Sequence, residues 1–121
     1  MKRTLAVFCA VALLSLTACG GVKKDATYDD APALRSAVIK AGEKCPGETV
    51  VDNGDGGSIK CSSDLLLEIM NDDAMRKLSP TVFSLTNSSQ SLLVGPNWII
   101  QGDTGTLDSL KTSLGGELTV P

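Results

Sequence analysis

The stretch DNGDGG, from Asp52 to Gly57, gathers two carboxylates and one amide among glycines, a composition shared with calcium-binding loops. An EF-hand loop requires oxygen ligands at positions 1, 3 and 5, a glycine at position 6 and a glutamate at position 12. Counted from Asp52, positions 3 and 5 are glycines and position 12 is a serine. We therefore predict an exposed glycine-rich turn without a metal site, on which Asp52 and Asp55 are candidate binding residues.

Nucleophilic and general-base chemistry has little support in the sequence. Histidine is absent, which removes the commonest general base and the usual catalytic triads. Ser36 and Lys40 lie four residues apart, but a serine–lysine pair needs a desolvated lysine, and both fall on the polar face of a predicted helix. Glu68 is the only acid with apolar neighbours on both sides, and the sequence offers it no carboxylate partner. We predict a non-catalytic binding module with no cofactor, with a carboxylate-dependent, glycosidase-like hydrolase as the alternative.

The amino terminus resembles the signal peptide of bacterial lipoproteins. Two basic residues precede the apolar run Leu5 to Leu14, which is shorter than the roughly 20 residues of a membrane-spanning helix. The following residues, Leu16-Thr17-Ala18-Cys19, match the lipobox of that family. The resemblance implies that residues 1–18 are a cleaved signal peptide. It also implies that Cys19 carries a diacylglycerol, and that the new amino terminus takes a further acyl chain such as palmitate.

This resemblance implies an exported protein, lipid-anchored to the outer face of the cell membrane. Removing 18 of the 121 residues leaves 103, enough for one small domain. The signal peptide holds two of the 11 basic residues and none of the 14 acidic ones, so its loss changes the net charge from −3 to −5. An acidic chain does not favour nucleic acid. We expect contact with the membrane through the lipid, and a basic envelope protein as a candidate partner.

Two of the four cysteines remain for the mature domain once Cys9 leaves with the signal peptide and Cys19 is lipidated. An even pair in an exported domain predicts a disulfide between Cys45 and Cys61. The alternatives are a metal site or a redox pair. Two thiols without histidine make a poor zinc site, and their spacing is far from that of a C-x-x-C motif.

Helical signals occur in three places along the mature chain. Asp30 and Pro32 predict the start of the first helix, since aspartate caps helices and proline is tolerated in the first turn. Pro80 interrupts the second helical pattern, which predicts a kink or two short helices. Apolar residues recur every three or four positions across all three predicted helices, around Ala31–Ala41, Met75–Leu85 and Leu107–Leu114.

Short extended segments separate these helices. The run Leu65 to Met70 fits a helix or a strand by periodicity, and its length and flanking turns favour a strand. Leu92–Val94 and Trp98–Gln101 flank Gly95-Pro96-Asn97 and predict a β-hairpin. Further strands are predicted at Thr49–Val51, Gly57–Cys61 and Leu118–Val120.

We predict an α+β fold, a two-layer sandwich with a mainly antiparallel sheet, about three helices on one face and one disulfide. Residues 19–30 form a lipidated amino terminus and flexible tether, and residues 31–121 form the domain. The order of these elements, with LLVGPNWII and LGGEL, is similar to that of small exported lipoproteins of actinobacteria. That resemblance implies a fold and a location, and no activity.

Overall fold

The computed structural model describes residues 22–86 and 89–121, apart from the side chains of residues 84–86. These residues form three helices, α1 (Ala31–Lys40), α2 (Asp73–Thr86) and α3 (Thr104–Leu114). They also form six strands, β1 (Val50–Val51), β2 (Ser58–Ser62), β3 (Leu65–Ile69), β4 (Ser91–Val94), β5 (Trp98–Gly102) and β6 (Glu117–Thr119). No helix in this part of the chain has the length and apolar character needed to cross a bilayer.

All six strands join one sheet in the order β1-β2-β3-β5-β4-β6. Every neighbouring pair is antiparallel. The predicted α+β class, with three helices, a mainly antiparallel sheet and one disulfide, is confirmed. The predicted strand at Leu65–Ile69 and the predicted hairpin of β4 and β5 are confirmed as well.

Local sequence accounts for the starts of the helices. The Asp30 carboxylate accepts a hydrogen bond from the Ala33 N–H at 3.0 Å, and Asp103 accepts one from the Thr106 N–H at 2.9 Å. Each carboxylate satisfies a donor that the first helical turn leaves free. Around Pro80 the sequence predicted a kink or two short helices, and the second alternative is wrong, because the structure has the single helix α2 with Pro80 inside it.

The main core lies between one face of the sheet, α1 and α3. On the sheet side, the register sets Leu67 and Leu93 on either side of Ile100, and all three are fully buried. Trp98 belongs to the same core and is also fully buried. The helices contribute the apolar faces predicted from their spacing, Leu34 and Val38 from α1 and Leu107, Leu110 and Leu114 from α3.

Helix α2 lies against the other face of the sheet. It lines one groove together with Glu68, Leu92 and Ile99, which alternate along their strands with residues of the main core. The sequence placed about three helices on one face; the structure has α1 and α3 there and α2 opposite. The reason is that the central strands carry continuous apolar runs, as strands covered on both faces do.

Cys45 and Cys61 form the predicted disulfide, which confirms that pairing. Both residues are buried in the main core, where they fasten the segment after α1 to β2. Arg35 adds a second connection, because its Nε donates to the carbonyls of Cys45 and Gly47 at 3.1 and 2.8 Å. Pairing the two sulfurs accounts for these thiols, so they do not form a metal site.

Candidate functional site

A groove of about 290 Å³ lies between α2 and the sheet face that it covers. Its floor comes from strands β3, β4 and β5, and its wall comes from α2 and from Met70, the residue after β3. The lining residues are mostly apolar: Glu68, Met70, Met75, Leu78, Ser79, Val82, Phe83, Leu92, Ile99 and Gln101. Its volume is close to the lower end of the roughly 300–1,000 Å³ range of small-molecule pockets.

The floor of the groove joins two apolar and two polar side chains. Leu92 and Ile99 are 3% and 6% exposed, and Glu68 and Gln101 lie beside them in the lining. Strands β3, β5 and β4 each pair with a neighbour on both sides. Their backbone N–H and C=O groups are therefore engaged within the sheet, and the groove meets side chains alone.

The wall carries a stripe of apolar side chains on α2 that remains in contact with solvent. Met75, Leu78 and Val82 are 56%, 55% and 54% exposed, although all three line the groove. They lie at helical spacing and form one edge of the apolar face of α2. Large apolar side chains grouped at the mouth of a concave apolar surface are typical of a binding site.

Arg76 joins the amino-terminal end of α2 to the residue after β3. The residue is 8% exposed, its Nη1 donates to the Met70 carbonyl at 3.1 Å, and its guanidinium pairs with Asp73. Lys77 also pairs with Asp73, at 3.0 Å. Lys77 and Arg76 together lower the pKa of Asp73. The start of the helix is thus held in place, which preserves the space that the groove occupies.

Glu68 lies in the floor of the groove, where the sequence had singled it out among apolar neighbours. Its carboxylate accepts a hydrogen bond from Asn53 Nδ2 at 3.4 Å. Among the described residues that line the groove it is the single acid. A glycosidase needs two carboxyl groups across the scissile bond, and the groove lining does not bring a second one to Glu68.

Asp52 and Asp55, the predicted binding residues, both make hydrogen bonds within the domain. Asp52 accepts from the Gly54 N–H at 2.8 Å, which forms a local turn. Asp55 accepts from the backbone and side-chain amides of Asn71, the latter at 3.0 Å, and these bonds lower the pKa of Asp55. Asp52 is exposed, while Asp55 holds the turn to the start of the α2 region.

Among the described residues, no group of three or more acids, cysteines or histidines is placed to hold a metal ion. Ser36 and Lys40 are both exposed on α1. This pair therefore lacks the desolvated lysine that nucleophilic catalysis requires.

A buried hydrogen-bond network that the sequence did not indicate centres on Asn97. Asn97 is 8% exposed. Its side-chain amide donates to the Tyr28 carbonyl at 2.8 Å and to Asn71 Oδ1 at 2.9 Å, and its Oδ1 accepts from the Tyr28 N–H at 3.0 Å. The one sequence signal was an asparagine in the tight Gly-Pro-Asn turn, which the turn alone explains.

The segment before α1 packs on the domain, unlike the flexible tether expected over residues 20–30. The Asp25 N–H donates to the Leu114 carbonyl at 2.8 Å, and Trp98 Nε1 donates to the Ala26 carbonyl at 2.8 Å. Val22 and Tyr28 pack against the main core. Cys19, the predicted lipid attachment residue, lies outside the described residues.

No protein-family model matches the chain, and comparisons with curated proteins and with solved structures found no match.

Proposed function

We propose that the chain is an exported lipoprotein, anchored through Cys19 to the outer face of the cell membrane, whose domain binds another molecule without catalysis. The groove beside α2 supports this proposal. It joins a floor of two buried apolar side chains, Leu92 and Ile99, to a half-exposed apolar stripe on α2, and Glu68 is the single acid among its described lining residues. Such a surface offers contact area and no group of side chains arranged for bond cleavage.

The acidic end of the domain supports the proposed basic envelope partner. Asp52 is exposed there, and Asp72 is exposed immediately before α2. With a mature net charge of −5, reached by removing two basic residues from a chain of net charge −3, this end favours a basic protein at low salt. The groove is the site to which we give the binding role, and a basic protein would be attracted to the acidic end beside it.

The proposal is tested by placing a photoreactive benzophenone amino acid in the groove of the full chain in living cells. The amino acid replaces Leu78 to probe the groove and replaces Val51 on β1 as the matched control. The two positions are matched because Leu78 is 55% exposed and Val51 is 59% exposed. Benzophenone inserts into C–H bonds of any close neighbour. We expect an adduct with an envelope molecule at position 78 and little at position 51. Equal labelling at both positions would contradict a binding role for the groove.

Anchoring and catalysis are tested separately. Cys19→Ala should leave an unprocessed precursor or release the protein to the medium, whereas the unaltered chain should fractionate with membranes. If Cys19→Ala is still cut and still partitions into detergent as the unaltered chain does, Cys19 is not the anchor. Turnover of an envelope glycan or peptide that Glu68→Gln abolishes would favour the hydrolase instead.

A further inference from the structure

We propose that the groove between α2 and the sheet binds one hydrocarbon chain of a neutral or zwitterionic membrane lipid. This inference rests on the proposed binding role of the groove and assigns the chemical class of its ligand. It follows from three observations. The backbone groups of the floor strands are paired within the sheet, the polar side chains of the lining make hydrogen bonds within the protein, and the chain enters the domain on the other side of the sheet.

The paired backbone of the floor argues against an extended peptide as the occupant. The floor strands β3, β5 and β4 are central in the sheet, and each pairs with two neighbours. An extended peptide lying on this face would find no backbone groups in these strands to pair with, so the backbone groups that it buries there would be desolvated without partners, which costs free energy. A hydrocarbon chain has no such groups, so burying it in the groove costs no hydrogen bond.

The polar side chains in the lining already have partners within the protein. Ser79 donates to the Met75 carbonyl at 2.9 Å, Gln101 Nε2 donates to Gln90 Oε1 at 2.6 Å, and Glu68 accepts from Asn53. Each of these three side chains therefore keeps a hydrogen bond within the protein when a hydrocarbon chain lies beside it. The remaining lining is aliphatic, aromatic or thioether, and methionine side chains adapt their shape to a flexible chain.

The charge and the volume of the groove further restrict which lipids can bind. Glu68 is the single charged group among the described lining residues, so an anionic headgroup next to it would be repelled. A neutral or zwitterionic lipid avoids that repulsion. The volume of about 290 Å³ suits a single narrow chain better than a large ring system.

The lipid in the groove comes from another molecule and not from the anchor of the same chain. Val22, the first described residue, packs beside Ser36 and Lys40 of α1. Helix α1 covers the main core, whereas the groove lies on the opposite face of the sheet. The chain therefore enters the domain on the side away from the groove.

The test uses membranes from cells that produce the full chain, incubated with a long-chain alcohol carrying a photoreactive diazirine. After illumination, mass spectrometry maps the adducts. We expect adducts on peptides from α2 and β5. The double variant Leu78→Gln/Val82→Gln should lower their yield about tenfold, because glutamine removes much of the apolar contact. The matched control Val51→Gln alters an apolar residue of similar exposure on β1 and should leave the yield unchanged.

Three outcomes would overturn the inference. One is labelling that is spread over the whole surface, and another is labelling that the double variant leaves intact while Trp98 fluorescence shows that the variant is folded. The third is the absence of lipid adducts in a chain whose benzophenone at position 78 captures an envelope protein. In that case the groove keeps its proposed binding role, and the inference that its ligand is a lipid is wrong. Absence of adducts with both probes would remove the proposed function together with this inference.

Discussion

The side-chain amide of Asn97 makes two hydrogen bonds to the backbone of Tyr28. Its Nδ2 donates to the Tyr28 carbonyl at 2.8 Å, and its Oδ1 accepts from the Tyr28 N–H at 3.0 Å. Replacing it with leucine would leave the Tyr28 N–H and carbonyl without these partners. An unsatisfied buried polar group costs about 1–3 kcal/mol. We therefore expect Asn97→Leu to lower the free energy of unfolding by at least about 2 kcal/mol, measured by urea denaturation. Thr27→Ala, at an exposed position in the same segment, is the control and should leave it unchanged.

Asp55 should make the free energy of unfolding decrease as the pH becomes acidic. Hydrogen bonds from Asn71 lower its pKa below the ordinary value of 3.8 in the folded protein. A carboxyl group with a depressed folded pKa contributes stability above its unfolded pKa, and that contribution is lost as the pH falls through the folded pKa. Between pH 7 and pH 3 the unaltered protein should therefore lose more stability than Asp55→Asn, measured by urea denaturation at each pH. Parallel losses in the two proteins would show that Asp55 does not contribute.

Gly95 shows how a single residue determines the hairpin of β4 and β5. A β-carbon at this position would lie 2.0 Å from Cε2 of Trp98, inside the buried indole ring. Gly95→Ala should therefore displace Trp98, with a cost of about 1–3 kcal/mol and a red shift in the fluorescence of the only tryptophan. Gly105→Ala is the matched control in α3, where the nearest atom is 3.4 Å away. If both variants gave the same stability and spectrum, tight packing at Gly95 would be ruled out.

At the scale of the elements, the disulfide and Arg35 both fasten the segment after α1. The bond between Cys45 and Cys61 spans 16 positions and lies in the core. Cys45→Ser/Cys61→Ser should lower the free energy of unfolding by about 2–5 kcal/mol, the usual range for small exported domains. Adding reductant should reduce the stability of the unaltered protein by a similar amount and leave the variant unchanged. An unaltered protein that is insensitive to reductant would contradict a structural role for the bond.

The sequence predicted those features of the elements that short-range physics determines. The Asp30 cap, the Gly95-Pro96-Asn97 turn and the strand at Leu65–Ile69 each depend on residues close in sequence. The position of α2 was harder to predict from the sequence, because the apolar face of a helix does not indicate which face of a sheet the helix covers. The continuous apolar runs of the central strands were the available signal for cover on both faces.

The candidate site was only partly predictable for the same reason. Glu68 stood out by its apolar neighbours, and the structure places it in the groove. Helical spacing predicted the apolar stripe on α2. It did not predict that the stripe stays exposed, because the groove forms only when residues of α2 and β5 come together in the fold. The contact of Asn97 with Tyr28 joins residues 69 positions apart, a distance that local patterns do not reach.

At the scale of the whole molecule, the packed segment 22–30 determines how the domain would sit on a membrane. Val22 lies beside α1, on the side of the sheet opposite α2 and the groove. With Cys19 lipidated, three positions before Val22, the helical layer of α1 would face the membrane and the groove would face away from it, so a lipid would reach the groove only by leaving the bilayer. A free tether over residues 20–30, reaching roughly 18 Å as a coil, would impose no such orientation.

This orientation predicts how lysines in intact membranes react with an acylating reagent that does not cross bilayers. Lys77 on α2, with 73% of its side chain exposed, should react readily, whereas Lys23, next to Val22, should be protected by the membrane surface. Inserting ten glycine and serine residues after Gly21 adds a coil of about 18 Å and should raise labelling of Lys23 without changing that of Lys77. Mass spectrometry gives both yields from one sample, so Lys77 is an internal control. If Lys23 already reacts as fast as Lys77 without the insertion, the helical layer does not face the membrane, and the docked segment does not orient the domain.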